Sequence, residues 1–557
     1  MLALVCVFFT FALRGGCGAS PQSQWVVVLE SNVSPQTFAK GHHLRYDGIM
    51  ESISSKEKVF HKFSETQTRQ RVNSVRSLPN VAWAEKQEPR LQYKRANDPL
   101  YPEQWHLHTH AMSVDADFAP NVTGKGVLIA IVDDGLQHTH PEFAVAYDAY
   151  NSHDFNDNTD DPRPRDSRDG HGTSAAGVAV ARAHNGHCGR GVAHGAKVAG
   201  LRLIAAPVTD ATEAEALTYN AIGSVDIFSC SWGPADNGIV MGRMGYLTRI
   251  ALARYVGNKR GRLGKGSIYV WAAGNGRHQE DSCAYDGYAS SPYVFPVGAV
   301  DHTGERAYYS EGCANLVGVA PSSGASRGIT TADLMGGAGY APSECTSTFG
   351  GTSSAAPLAA GVFACLLEER PDLTWRDLMH VIAKGATLIK PTDQDWHYNT
   401  KGYHHSHKYG FGLLKLPPLL AAARAHVLVP PVQKVVSLPE QQFSGATGVL
   451  PFNHTWHVAG HNVSFIEQVF VRMSVLHPLR GSVRMKLTSP SRTVSILAPS
   501  RKHDNMADFP RDWVVSTRHH FGETRVNGDW TISAEDVRSP TSHLGTVTFL
   551  SVTILGF

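Results

Sequence analysis

After its first residues the sequence has no hydrophobic run long enough to cross a membrane, which excludes an integral membrane protein on helices. It has almost no net charge: 51 Lys and Arg stand against 49 Asp and Glu, a balance of +2. That excludes bulk attraction to nucleic acid or membrane, so any charge selectivity has to be local. Cysteine is scarce, 8 in 557 residues, and none sits at metal-finger spacing. Cys6 and Cys17 lie near the N-terminus; Cys188, Cys230, Cys283, Cys313, Cys345 and Cys365 read as disulfide candidates in an oxidising compartment, and their spacing assigns no pairs. No cysteine follows Cys365.

What is present is a globular composition, 42% hydrophobic and 18% charged, at a length that implies two or three domains. Met1 to Leu13 is a short apolar run followed by Gly15-Gly16-Cys17-Gly18-Ala19, the core and cleavage region of a signal peptide over 1–19. The sequons at Asn32, Asn121, Asn453 and Asn462 agree with secretion, though each is a common pattern. Residues 24 to 90 hold a small α/β pattern, with strands at Trp25–Leu29 and Val81–Glu85, and the segment ends at Lys94-Arg95. An exposed dibasic pair at a boundary is a protease site or a solvated linker. After Pro430-Pro431, Val, Thr, Ile and Leu alternate with turn residues, an all-β pattern.

Three stretches carry chemistry. Gly350-Gly351-Thr352-Ser353-Ser354-Ala355-Ala356-Pro357 suits a tight strand-to-helix turn that exposes one side chain, and Leu358 to Leu367 reads as the buried helix behind it. A serine at that helix start sits in a positive field that favours an oxyanion; read alone it is equally a helix cap. Val127 to Gly135 is an apolar strand ending in Asp133 and Asp134 at a glycine turn, and Asp169 to Gly177 places His171 between glycines before a small-residue helix. The order Asp, His, Ser is the subtilisin order. The chain therefore resembles the subtilisin-like serine proteases. Ser353 is a poor nucleophile until a base takes its proton; His171 is that base, Asp133 orients the imidazole, and Asn275, between Gly274 and Gly276, donates to the oxyanion or else marks an ordinary Asn-Gly turn.

Further blocks resemble the furin/kexin branch, the proprotein convertases: Asn97-Asp98-Pro99, Ser231-Trp232-Gly233-Pro234-Ala235-Asp236, Ala273-Gly274-Asn275-Gly276, Asp281-Ser282-Cys283 and Asp286-Gly287-Tyr288. Gly481 to Pro490, Asp512-Trp513 and Gly528-Asp529-Trp530 resemble the convertase P domain. The resemblance implies an α/β catalytic domain with a parallel sheet over 96–425, preceded by a small α/β inhibitory propeptide over 20–95 and followed by an all-β P domain, a β-sandwich or jelly roll, over 426–557. It implies a calcium-dependent serine endoprotease of the secretory pathway, monomeric, that cuts precursor proteins after Lys-Arg or Arg-Arg and activates itself by cutting after Arg95.

By the same resemblance Asp236 and Asp286 line the pocket for the arginine before the cut, bordered by Ser231, Trp232 and Gly233. Asp134 and Asp169 face the second basic position, and Glu213 faces the fourth. Gly242 and Pro207 stand where furin-like enzymes carry further acids, and Gln92 holds the fourth position of the chain's own site, so selection beyond the dibasic pair is expected to be mild. Calcium is implied at Asp98, Glu142 and Asn185, with backbone carbonyls near Arg182, His187 and Gly189; at Asp154 and Asp161; and at Asp281 and Glu311 with Asp236. Otherwise the Asp-rich run is a solvated loop, and the pocket acids are solvated surface groups or calcium ligands. The resemblance pairs Cys188 with Cys345 and Cys283 with Cys313, leaving Cys230 and Cys365 free. Ser174-Ala175 replaces the usual Arg-Cys after the histidine, and His61 is a candidate acid sensor in the propeptide. A broad digestive subtilisin and a catalytically silent binding protein are the other readings; Asp236 and Asp286 argue against the first, the intact Asp133, His171, Ser353 and Asn275 against the second.

Overall fold

The structure is a computed structural model. It describes residues 24–557 apart from 52–53, 55–57, 66–74, 88–97, 109, 258–259, 325, 338, 400 and 541–543. The expected signal peptide and the Lys94-Arg95 site lie outside the described residues. The chain divides into two compact units, Met1–Lys94 and Arg95–Phe557.

The first unit is a four-stranded antiparallel sheet, β1 (Gln24–Leu29), β2 (Leu44–Ile49), β3 (Phe60–Glu65) and β4 (Val81–Gln87), in the order β2-β3-β1-β4. Helix α1 (Pro35–Gly41) starts on Ser34, whose hydroxyl accepts from the Thr37 amide at 3.4 Å, with proline at the first turn, where no N–H is needed. Trp25, Val27, Phe38, Phe63 and Ala84 form its core. His61 on β3 lies within 3.3 Å of the Tyr46 hydroxyl, and burial lowers its pKa.

The second unit is built on a seven-stranded sheet of β5 (Leu128–Asp133), β6 (His153–Asp154), β7 (Lys197–Arg202), β8 (Ile227–Cys230), β9 (Ile268–Ala272), β10 (Phe295–Val300) and β11 (Gly318–Pro321). The order is β11-β10-β9-β8-β5-β7-β6 and every pairing is parallel. Parallel strands are covered on both faces, so they read as continuous apolar runs; all six residues of β5 and all five of β9 are buried. Helix α2 (His171–Val180) follows β6, and α3 (Asp210–Ala216) and α4 (Tyr246–Leu252) pack on each other. A hairpin of β12 (Ile329–Ala332) and β13 (Cys345–Phe349) leads into α5 (Thr352–Glu369), which packs along β8 to β11. Helices α6 (Trp375–Gly385) and α7 (Leu416–Ala425) follow, with the short pair β14 (His397–Tyr398) and β15 (His404–His405) between them.

Helix α5 begins six residues before the expected Leu358 and carries Pro357 inside it. The proline has no N–H for the carbonyl of Ser353 one turn back. That carbonyl accepts the Ser231 hydroxyl instead, at 3.1 Å. A side chain from the neighbouring strand end thus replaces the helical bond.

The remaining chain forms two antiparallel sheets. One holds β16 (Lys434–Ser437), β17 (Gln441–Gln442), β19 (Ile466–Leu476), β22 (Trp513–Thr517) and β24 (Thr546–Gly556); the other holds β18 (Phe452–Val458), β20 (Val483–Thr488), β21 (Val494–Ala498) and β23 (Gly528–Asp536). Their inward residues, among them Trp456, Met473, Met485, Trp530 and Val552, share one core. The sandwich is tied to the α/β part by buried polar contacts. Arg376 on α6 donates to Glu467 at 3.0 and 3.1 Å, and Arg518 donates to the carbonyls of Asn315 and Val294 at 2.7 and 2.9 Å.

Both expected disulfides are present, Cys188–Cys345 and Cys283–Cys313, and Cys230 and Cys365 are free and buried.

Candidate active site

The site lies at the carboxyl ends of the central strands, where open α/β sheets place ligands. Asp133 is the last residue of β5 and is buried; His171 is the first of α2. His171 Nδ1 and Asp133 Oδ1 are 2.9 Å apart. The close approach requires Gly172, because a Cβ there would sit 2.3 Å from the Gly135 carbonyl oxygen and 2.8 Å from the Asp133 Cβ. Burial pulls the imidazole's pKa down, but Asp133 and then Asp134 outweigh it and lift it to about 9. The pair therefore stabilises imidazolium, the form produced when His171 takes a proton. Phe349 covers the ring edge-on at 5.5 Å between centroids.

Ser353 stands in the first turn of α5. Its hydroxyl donates to the Ser231 carbonyl at 3.5 Å rather than to the imidazole. Such a bond forms or tightens when substrate fills a site, so the free geometry does not exclude the pair. The carbonyl of Gly351, the residue before the helix, accepts the Ser322 hydroxyl at 2.6 Å, which pins the turn.

Asn275 follows β9. Its side-chain oxygen accepts the Thr352 amide at 2.8 Å and the Thr352 hydroxyl at 3.1 Å. With the oxygen held, the amide nitrogen is the end left to donate, beside the first turn of the serine's helix. Its own backbone N–H donates to Asp236 at 2.7 Å, which ties the loop after β9 to that carboxylate.

Ser231, Trp232 and Gly233 run past β8. The Trp232 indole donates to the Val132 carbonyl at 2.9 Å and packs edge-on to Trp271 and Tyr288. A Cβ on Gly233 would sit 2.9 Å from Asp286 Oδ2, so only glycine leaves that carboxylate approachable. Asp286 accepts from the Tyr288 amide at 2.7 Å, and burial raises its pKa to about 7. A carboxylate so desolvated favours a cationic partner.

Asp134 and Asp169 border, with His171 and Ser231, a cleft of about 430 Å³ beside the catalytic pair. Both oxygens of Asp134, however, accept backbone amides at the start of α2, Gly172 at 2.8 Å and His171 at 3.1 Å. It therefore caps that helix, and burial followed by Asp133 raises its pKa to about 7. Asp169 lies 3.5 Å from the Arg202 guanidinium. Glu213 on α3 is buried and accepts the Tyr288 hydroxyl at 2.8 Å.

The three expected calcium sets differ. Asp98 and Glu142 are buried together, and the Asn185 amide donates to Glu142 at 2.8 Å. Among the described residues neither has an ion-pair partner, and burial lifts Glu142 to about 8. A buried acid pair with no cationic side chain beside it suits a hard cation, even though Asp98 already accepts the His184, Asn185 and Gly186 amides at 2.7, 2.9 and 3.0 Å. At the second set a cation is already in place: Arg202 donates to Asp154 at 3.1 and 3.2 Å, and Arg163 and Arg165 flank Asp161. At the third, Glu311 accepts the Gly276 amide at 2.8 Å, and burial followed by Asp281 and Asp236 raises its pKa strongly. Asp281 there pairs with Arg501 of the C-terminal sandwich at 3.0 Å. Among the described residues no three His, Cys, Asp or Glu side chains converge as a metal cluster.

Thr352, Tyr288, Arg202 and Arg501 are the positioning residues that the sequence did not single out. Thr352 was in the serine motif and Tyr288 in the Asp286-Gly287-Tyr288 block, neither with a role read for it; Arg202 and Arg501 act on partners 33 and 220 residues away, and no local signal marks them.

A doubly wound parallel sheet with this Asp–His pair, a serine at a helix start and a neighbouring asparagine defines the subtilisin-like class of serine hydrolase sites. The chain belongs to the subtilase family, whose sequence model matches residues 124–412. The proprotein convertase P-domain matches residues 466–553. Among curated proteins it is 38% identical to proprotein convertase subtilisin/kexin type 7 of Homo sapiens over 86% of this chain and 62% of that one. It is 36% identical to Furin-1 of Xenopus laevis over 89% and 64%, and 35% identical to the type 5 convertase of Rattus norvegicus over 83% and 26%. The chain thus spans between a quarter and two-thirds of these relatives. Among solved structures, the serine protease of Aeromonas sobria superposes with a TM-score of 0.74 at 22% identity, over 83% of this chain and 96% of that one. No described helix is long and apolar enough to cross a membrane.

Proposed function

We propose that this chain is a calcium-dependent serine endoprotease of the secretory pathway that cuts precursor proteins after Lys-Arg or Arg-Arg. Ser353 attacks the scissile carbonyl, His171 takes its proton and returns it to the leaving amine, Asp133 holds the imidazolium, and the Asn275 amide receives the oxyanion. Asp286 and Asp236 take the arginine, and Asp134 and Asp169 give the neighbouring subsite its negative field. The observations that carry the reading are the 2.9 Å Asp133–His171 contact and the carboxylate of Asp286, left approachable by Gly233 after the neighbouring strand β8. Calcium is assigned to Asp98, Glu142 and Asn185, where it would neutralise a buried acid pair; it supplies charge and rigidity and takes no part in bond breaking.

We further propose four regions: a signal peptide over 1–19, an inhibitory propeptide over 20–95, a catalytic domain over 96–425 and a P domain over 426–557. The enzyme frees itself by cutting after Arg95, and protonation of His61 loosens the inhibitor. The test compares the purified chain with Ser353→Ala for cleavage after Arg95, then for hydrolysis of Lys-Arg and apolar peptides with and without a calcium chelator. Equal cleavage of apolar peptides would favour a broad digestive subtilisin. No reaction with a fluorophosphonate would sink the catalytic reading. Activation that keeps its pH dependence in His61→Leu would remove the sensor.

A further inference from the structure

Between the α/β part and the sandwich lies a cavity of about 450 Å³, within the size range of small-molecule sites. Its floor and walls are apolar: Met244, Ile250, Pro292, Tyr293, Phe470 and Trp513. Its rim is cationic. Arg243, Arg249 and Arg472 stand there against one acid, Asp512. Arg472 is shared, 3.4 Å from both Asp512 and Glu440. Arg243 gives one donor to the Arg511 carbonyl at 2.8 Å, and Arg249 lies 5.5 Å over the Tyr246 ring. Among the described residues neither of these two has a carboxylate partner. The inner wall is continuous with the arginine pocket. Gly287, which lines the cavity, follows Asp286 and donates its amide to the Gly242 carbonyl at 2.8 Å.

An apolar chamber under two guanidinium groups without carboxylate partners selects an occupant with an apolar body and one anionic head. Guanidinium donors match a carboxylate in a planar, two-bond geometry, while the chamber gains by removing apolar surface from water. We propose that this interdomain cavity binds a monomeric carboxylate amphiphile, with its head at Arg243 and Arg249 and its tail against Ile250, Phe470 and Trp513. The assignment is independent of the proteolytic reading, because its measurement is binding.

The experiment titrates the full chain with dodecanoate below its micelle concentration, following heat and the change in tryptophan fluorescence that Trp513→Phe should remove. The expected result is saturable one-to-one binding, at least tenfold weaker for dodecanol and for dodecylammonium. Arg249→Glu, on an exposed side chain, should weaken binding by about tenfold or more while leaving the unfolding midpoint in place. Ala253→Trp should block the chamber by filling it. The proposal is overturned if dodecanoate does not saturate the protein, if dodecanol binds as tightly, or if Arg249→Glu binds unchanged. Capture by phosphatidylserine vesicles without any response to dodecanoate would assign a membrane surface and overturn it equally.

Discussion

Arg501 Nη1 lies 3.0 Å from Asp281 Oδ1, so a guanidinium from the C-terminal sandwich reaches the acids that neighbour Asn275. The same side chain donates to the Val240 carbonyl at 2.8 Å and stacks 4.0 Å from the Tyr285 ring. Asp281 in turn accepts the Gly238 amide at 2.7 Å, and Asp236 of the same cluster holds the Asn275 backbone. The sandwich is therefore wired to the catalytic centre through charge as well as packing.

Asn275→Ala should leave folding intact and reduce kcat by about 10²–10³, the range found for the single side-chain donor in subtilisin. Substrate KM should change little, because the donor acts on charge that develops only in the transition state. Thr352→Val, which removes one of two bonds to the Asn275 oxygen, should lie between wild type and Asn275→Ala.

Ser231→Ala leaves the Ser353 carbonyl without a partner, since Pro357 cannot supply one. A buried unsatisfied carbonyl costs about 1–3 kcal/mol. The urea midpoint should fall accordingly with an unchanged m value, and Ser231→Thr should restore most of the loss.

Glu467 receives Arg376, the His380 ring at 3.0 Å and the Gln433 amide at 2.7 Å in a buried setting. Removing one member of a buried ion pair costs about 3–5 kcal/mol. Glu467→Ala should lower the melting temperature and expose the interface between the α/β part and the sandwich to limited proteolysis.

Acid should loosen that same interface. Burial holds His405 down at about 3 and His519 well below the ordinary histidine value, and the two rings are joined nitrogen to nitrogen at 3.1 Å. Around them stand His397, His407, His520 and Arg518, with Asp395 and Glu523 as the nearby acids. The unfolded chain takes up protons near pH 6.5 that these folded rings refuse, so stability is full above that value and falls below it. Each such ring contributes a slope of about 1.4 kcal/mol per pH unit. Unfolding curves from pH 7.5 to 5 should show the fall, and His519→Phe should flatten it.

Calcium should raise the melting temperature in proportion to the logarithm of its concentration, as for any ligand of the folded state alone. Asp98→Asn with Glu142→Gln should abolish the rise and make the protein indifferent to chelation. A shift that survives this double variant would move the ion elsewhere.

Much of the centre was readable because it is local. Asp133, His171 and Ser353 each sit at a strand end or helix start that glycine and small residues announce, and β5 up to Asp133 and all of β9 are apolar because parallel strands are covered on both faces. The limits of α5 were not, since Pro357 reads as a helix boundary until Ser231, 122 residues before Ser353, is seen to replace the missing bond. Asp134 illustrates the other gap: its sequence position is that of a subsite acid, but its two oxygens are taken by amides of a helix that begins 37 residues later. Arg202 and Arg501 occupy acids read as calcium ligands, and nothing in the chain near Asp154 or Asp281 foretells a guanidinium.

The Cys188–Cys345 bridge spans 157 residues, and within that span lie Asn275, Asp236, Asp286 and most strands of the sheet. A nick anywhere in this loop leaves the fragment bearing Asp133 and His171 covalently tethered to the fragment bearing Ser353. Self-digestion there would be invisible on a non-reducing gel and would appear as two pieces only after the bridge is reduced, so a nicked preparation could keep its catalytic parts in register.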